Sequence, residues 1–432
     1  MLATAGVMGL LAVGTGTAWF VATGGGSPTA GGGNGNGSGE SAAVTEWAVP
    51  LTNADSTDFT SGLAFASWLT DKTIIRAQKD GILAYALNSG KRAWGTPAPG
   101  AQLCGATQHL AQGKGAIAYG SSTLCDHLAG VDAATGKLTW KIKISAEKAR
   151  LSNSLAVPRI LDADGMAIVD LNDVLTGYRL SDGGKQWTAT MPNGCHLKDA
   201  NAAPGRVAML LDCFAGGNRL LLLNPQSGKA TKQARIGELR LMSTLLNADP
   251  VIMRTEDSSQ NVFTVYNDAG ARVTEFKTGK VDLLAMNTVA FVNGMFEVHR
   301  YAVHGDRLYL ATFPENVPGK LRSRNQVLAY DLKTGRQVWT SSGTNDTMLT
   351  YIRADDRGLL ALEAGDHRDL APRLVRLDAA TGKATAVASL PQKYGSNGQD
   401  AQVFERNGAV IIVPWTSVTA KYAITYVNTK GG

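Results

Sequence analysis

Few residues of this 432-residue chain stand at spacings that do chemistry. The six histidines are His109, His127, His196, His299, His304 and His367, and none falls in H-E-x-x-H or a comparable metal spacing. No G-x-x-x-x-G-K-[ST] loop is present to cradle a phosphate, and no G-x-S-x-G elbow to present a nucleophile. His304, in VHGDRLYL, stands beside Gly305 and Asp306 and reads as a turn residue. The cysteines are Cys104, Cys125, Cys195 and Cys213, with no second Cys or His at C-x2-C spacing. Four cysteines allow three pairings, and metal binding is their rival use. What remains is the chemistry of binding: scattered carboxylates that could hold a cation or a basic partner, and a basic cluster, Lys320, Arg322 and Arg324. No catalytic, cofactor-binding or metal-binding residue is assigned.

The elements that position these residues repeat. An apolar alternating strand, a short turn ending in Gly, often followed by Lys or Arg, and a second strand recur along the chain. Clear copies are GILAYALNSGKRAW (81–94), GVDAATGKLTW (130–140), GYRLSDGGKQW (177–187) and LAYDLKTGRQVW (328–339). LLLNPQSGKATK (221–232), FTVYNDAGARVTEF (263–276) and LVRLDAATGKATAV (374–387) keep the turn without Trp, and TYVNTKGG (425–432) stops at its turn. The turn glycines are read as Gly90, Gly136, Gly184, Gly228, Gly270, Gly335, Gly382 and Gly431. Most intervals are roughly 40–50 residues, the period of four-stranded propeller blades. Gly supplies the positive φ of a tight turn, and Trp a flat surface to pack between neighbours. The fold class expected is therefore all-β: an eight-bladed β-propeller with four antiparallel strands, A to D, in each blade. Blade eight lacks its last strand. TEWAVPL (45–51) resembles the missing D strand, so the N-terminal strand is expected to pair beside AITYVN (423–428) and close the ring. Trp47, Trp94, Trp140, Trp187 and Trp339 are the expected blade-docking residues.

On this scheme Cys104 opens strand A and Cys125 ends strand B of blade two. Cys195 and Cys213 are read in the same positions of blade three. The start of one antiparallel strand faces the end of the next, so each pair comes within disulfide reach. Such bonds belong in an oxidising compartment. The B–C and D–A connections share one face. The interval from Gly270 to Gly335 is the longest, with its excess near 277–298 and in the B–C loop PENVPGKLRSRNQ (314–326), which carries Lys320, Arg322 and Arg324. Asp80, Asp126, Asp170, Asp173, Glu256, Asp257, Glu363, Asp366 and Asp369 also fall in B–C loops. Lys320, Arg322, Arg324, Asp366 and Asp369 mark the candidate binding face, although turn chemistry alone accounts for Asp in loops.

The pattern A-x-D-x-x-T-G-K-x-x-W resembles the PQQ-like (quinoprotein/BamB-type) repeat across 45–432, and looks closest to actinobacterial membrane-anchored members. The quinoprotein alcohol dehydrogenases of that family imply PQQ over the propeller centre, capped by adjacent cysteines, with an acidic base and Ca²⁺. This chain has no Cys-Cys pair and is shorter than those enzymes.

Residues 1–22 carry no charge and, as one apolar helix at ~1.5 Å per residue, would cross a ~30 Å hydrocarbon core. No lipidation Cys lies near them. They read as a transmembrane anchor or uncleaved signal, 23–44 as a Gly/Ser linker, and 45–432 as the propeller. All 42 basic residues lie beyond position 44 without a run suited to nucleic acid, so no nucleic-acid partner is expected. The function expected is a non-enzymatic, extracytoplasmic binding or scaffold module, monomeric, at the cell membrane or secreted if 1–22 are cleaved, serving a protein or cell-envelope partner. No cofactor is expected; PQQ enters by family resemblance only. The alternatives are a PQQ-dependent oxidoreductase, or a ligand-sensing ectodomain coupled to a cytoplasmic signalling domain.

Overall fold

A computed structural model describes residues 46–51, 64–121, 124–144, 157–171, 173–214, 217–240, 243–257, 260–279, 281, 300–320, 322–366, 370–394, 401–415 and 420–429. The expected apolar helix over 1–22 and the linker 23–44 lie outside these residues, as do Gly431 and Asp369.

The described residues form eight four-stranded antiparallel sheets, seven of them consecutive in sequence. Blade one runs Ala64–Leu69, Thr73–Gln78, Gly81–Ala86 and Arg92–Pro97; blade two runs Gln102–Ala106, Lys114–Gly120, His127–Asp132 and Leu138–Lys143. Blade three starts at Arg159–Ala163 and ends at Lys185–Thr188, blade four spans Cys195–Ala203 to Ala230–Arg235, and blade five Thr244–Ala248 to Arg272–Thr278. Blade six spans Tyr301–His304 to Gln337–Ser341, and blade seven Leu349–Asp355 to Ala384–Ser389. Blade eight is Ala401–Arg406, Ala409–Pro414 and Tyr422–Asn428, completed by Glu46–Pro50. The closing strand pairs antiparallel with Tyr422–Asn428, Trp47 opposite Tyr426, and their rings stack at 5.2 Å. Arg406 of blade eight also donates to the Thr70 carbonyl of blade one at 2.9 Å.

Burial explains the strand sequences. Strand B is covered on both faces by neighbouring blades, so Gly358–Glu363 and Ala409–Pro414 are buried throughout and read as continuous apolar runs. Strand D forms the wet rim, and Leu138–Lys143 alternates half-buried with exposed residues.

The repeat motif is a docking device. The Asp132 carboxylate accepts the backbone N–H of Ala134 and Thr135 and the Thr135 hydroxyl, shaping the C–D turn before Gly136. Asp331 and Asp378 do the same, and Asn224 substitutes in blade four. The turn glycine is forced twice over. Gly136 has φ 72°, and a Cβ there would meet the Trp94 ring at 2.4 Å. Each Trp lies on the turn glycine of the next blade: Trp47 on Gly90, Trp94 on Gly136, Trp140 on Gly183, Trp187 on Gly228 and Trp339 on Gly382. Four of these indoles also donate to a carbonyl in that next turn, those of Leu87, Leu180, Pro225 and Ala379.

Two positions differ from the sequence reading. In blade three the residue that takes positive φ under Trp140 is Gly183, not Gly184, because Gly183 stands four residues before Trp187 as in the other Trp copies. Cys195 and Cys213 belong to blade four, since their strands lead into the Gly228 turn.

Candidate binding face

Antiparallel order places the A–B and C–D turns at one end of every blade and the B–C loops at the other, with the D–A connections. His304 ends a strand at an A–B turn where Gly305 has φ 53°, as expected.

Most carboxylates at the B–C end brace their own loops. The fully buried Glu363 accepts the backbone N–H of Thr344 and Asn345 at 2.6 Å each and lies 3.6 Å from Arg373, so it fixes the connection from blade six into blade seven. Asp126 meets His127 at 2.6 Å, Asp80 accepts from Gln78 at 2.7 Å, and Glu256 pairs with Arg254 at 2.8 Å. Among the described residues, no three His, Cys, Asp or Glu converge to hold a metal ion.

The long B–C loop of blade six contains a short hairpin, Glu315–Asn316 with Ser323–Arg324, turning through Gly319. Lys320 is exposed at its tip. Arg322 points back to Asp366 of blade seven at 3.5 Å, and Arg324 pairs with Asp346 at 2.8 Å. The structure thus joins Arg322 with Asp366, and two of the three bases of the expected basic lobe anchor the hairpin.

Deeper at this end, Arg159 of blade three donates to Asp199 of blade four at 2.7 Å, and Asp199 accepts the Leu245 N–H of blade five at 2.6 Å. Three blades are tied by one buried ion pair. Asp170 stands opposite Arg159 in the strand register. Desolvation pushes its carboxyl up to about 6; Arg159 opposes that shift, while Asp199 and Asp173 add to it.

The disulfides Cys104–Cys125 and Cys195–Cys213 form as the sequence implies, with Cα atoms 6.5 and 4.0 Å apart. Cys195 and Cys213 face each other directly in the sheet, whereas Cys125 lies beyond strand B, in the B–C loop. Each bond fixes a loop that carries an exposed apolar neighbour: Leu124 beside Cys125 and Phe214 beside Cys213. Phe214 is 88% exposed, its ring edge-on to His196 at 5.4 Å. Of the seven large apolar residues exposed among the described residues, Leu124, Phe214 and Phe313 lie in B–C connections and Val174 opens strand C at the same end; Leu124, Val174 and Phe214 stand on consecutive blades two, three and four. Sequence reasoning missed them; for Leu124 and Phe214, adjacency to a cysteine was the available signal. Exposed Asp173 and Asp212 border them.

The channel holds two cavities, about 340 and 240 Å³. Gln108 and His109 of blade two and Tyr301 and Ala302 of blade six line both. Asp162 holds the blade-two loop through the N–H groups of Gln108 and His109, at 2.9 and 3.1 Å. Arg300 and Arg353 line the larger cavity together with the His109 imidazole, and no carboxylate is among its described lining residues. The adjacent-cysteine cap that the family resemblance implies for PQQ does not fit here: the four sulfurs sit in two bonds between residues far apart in sequence.

The family model described as outer membrane protein assembly factor BamB matches residues 78–341. No curated protein sequence matches significantly. Among solved structures, BamB from Moraxella catarrhalis is similar at 14% identity, covering 89% of this chain and 96% of its own, with a TM-score of 0.48. Quinohemoprotein alcohol dehydrogenase from Comamonas testosteroni is similar at 11% identity, covering 89% of this chain and 76% of its own, with a TM-score of 0.49.

Proposed function

The chain belongs to the family described as outer membrane protein assembly factor BamB, and from that premise we propose that its propeller is a non-enzymatic module docking a protein of the cell envelope on its B–C face. The observation that carries this reading is the run of exposed apolar side chains on consecutive blades, Leu124, Val174 and Phe214, two of them beside disulfides. Solvent-facing apolar residues that cluster on one face mark interaction surfaces. A loop pinned by a disulfide loses little entropy on binding, which favours affinity. Asp173 and Asp212 beside them suit a partner surface that combines apolar and basic side chains.

In this reading the propeller works in an oxidising compartment, which the two disulfides support. Residues 1–22 would then tether it to the membrane as in membrane-anchored members of the family, with 23–44 as a flexible spacer.

The test is proximity labelling on intact cells producing the full chain, comparing it with the Leu124→Asp/Phe214→Asp variant. Both side chains are exposed, so the melting temperature is expected to hold within about 2 °C. Labelling of a discrete set of envelope proteins should fall at least several-fold in the variant. Identical labelling would remove the proposed face. Tight binding of PQQ and Ca²⁺ by the purified ectodomain, with dye-linked alcohol oxidation, would replace a docking module by an oxidoreductase.

A further inference from the structure

The blade interfaces are not all filled alike. Where strand D carries Trp, its ring fills the space against the next turn glycine. Blades four, five and seven lack that Trp. At the blade five–six interface Phe276 takes its place, buried and stacked on Tyr330 at 4.9 Å, with its Cβ 3.0 Å from where a Gly335 Cβ would stand. At the blade seven–eight interface, buried Tyr394 from the connecting segment packs edge-on to Tyr422 at 6.1 Å. Between blades four and five the atoms nearest to where a Gly270 Cβ would stand are those of the small Ala234, its Cβ at 2.6 Å. There the rim holds a groove of about 490 Å³.

The groove runs from the Gly270 turn to the segment after strand D of blade four, across the face of blade five. Its floor mixes apolar and hydroxyl side chains: Met253, Val262 and the buried Tyr266, with the buried Thr255 and Thr264 between them. Its charged lining is four bases, Arg235, Arg240, Arg272 and Lys277, against two acids, Glu238 and Glu275. Arg272 pairs with Glu275 at 3.2 Å. Exposed Arg235 and Lys277 make no ion pair among the described residues.

We propose that this groove between blades four and five binds an extended acidic peptide, one apolar side chain of which enters the space that Trp fills at other interfaces. A strand-like ligand of roughly six residues matches the length of a blade strand at ~3.3 Å per residue. The excess of basic over acidic groups selects its charge. The groove runs along the rim, and its lining includes none of Leu124, Val174 and Phe214.

The probe is a synthetic peptide of roughly eight residues, all glutamate except one central leucine, titrated calorimetrically into the full chain at low salt. A control peptide has lysine for glutamate, and a second keeps glutamate but has glycine for leucine. Binding of the probe, with at least ten-fold weaker binding of both controls, is expected. The Arg235→Glu/Lys277→Glu variant should lose the binding at unchanged melting temperature. Ala234→Trp should lose it too while the chain remains folded. If that variant misfolds, the charge-reversed variant decides alone. Absence of probe binding, binding undiminished in the charge-reversed variant, or equal binding of the glycine control would overturn the proposal. So would binding of heparin but not of the peptide, which would make the groove a polysaccharide site.

Discussion

Asp170 shows how one residue's environment becomes measurable. It is largely enclosed and shares its surroundings with Asp199 and Asp173, so ionisation costs free energy in the fold that it does not cost in the unfolded chain. A carboxyl raised to about 6 binds its proton more tightly when folded. Stability is therefore highest below the ordinary carboxylate value of ~3.9 as far as this group is concerned, and falls as pH rises from there through about 6. Asp170→Asn should remove that dependence. Denaturant melts at pH 7.5 should find the variant more stable by about 1–3 kcal/mol, the difference vanishing near pH 4. A variant less stable at every pH would show that the carboxylate is a needed partner of Arg159. None of this is legible in the sequence, where Asp170 is one of nine acids at loop ends. The register that sets it opposite Arg159 and the approach of blade four are long-range facts. The turn residues are the contrasting case. Asp132, Thr135 and Gly136 make their turn hydrogen bonds within five residues, so the local motif alone spells out the turn.

At the scale of elements, the closing strand carries the strongest inference. Glu46–Pro50 is separated from its partner by nearly the whole chain, yet the Trp47 position in TEWAVPL marks it as a D strand. The structure joins it to Tyr422–Asn428 and lays Trp47 on the Gly90 turn of blade one, so a single strand seals the ring on both sides. Trp47→Ala should cost roughly 3–5 kcal/mol, and deletion of 46–51 at least as much, read as a lower denaturation midpoint. An unchanged midpoint would mean that the ring is held without it. Assigning the second disulfide to blade three has a local cause: strands belong to the turn that follows them, and Cys195 and Cys213 precede Gly228 rather than follow it. The Gly183–Gly184 pair is ambiguous for a similar reason. The four-residue spacing to Trp187 and the packing of Trp140 both select the first of the two. The blade-six hairpin reads as a projecting basic loop because sequence shows three bases but not Asp366 and Asp346, which fold two of them back.

At the scale of the molecule, eight blades and a closed ring follow from periodicity, because each blade repeats the same short-range grammar. The candidate binding face does not, because exposure is a property of the finished surface. Leu124, Val174 and Phe214 look in sequence like any other apolar residues of an all-β chain. Only the ring places them on neighbouring blades at the B–C end. The most direct measurement is site-specific photo-crosslinking on intact cells, with a benzophenone side chain at position 214 in one strain and at position 387, an exposed rim position, in another. A docking face on blades two to four requires a discrete crosslinked protein from position 214 and none from position 387. Equal crosslinking from the two positions, or none from position 214, would contradict it.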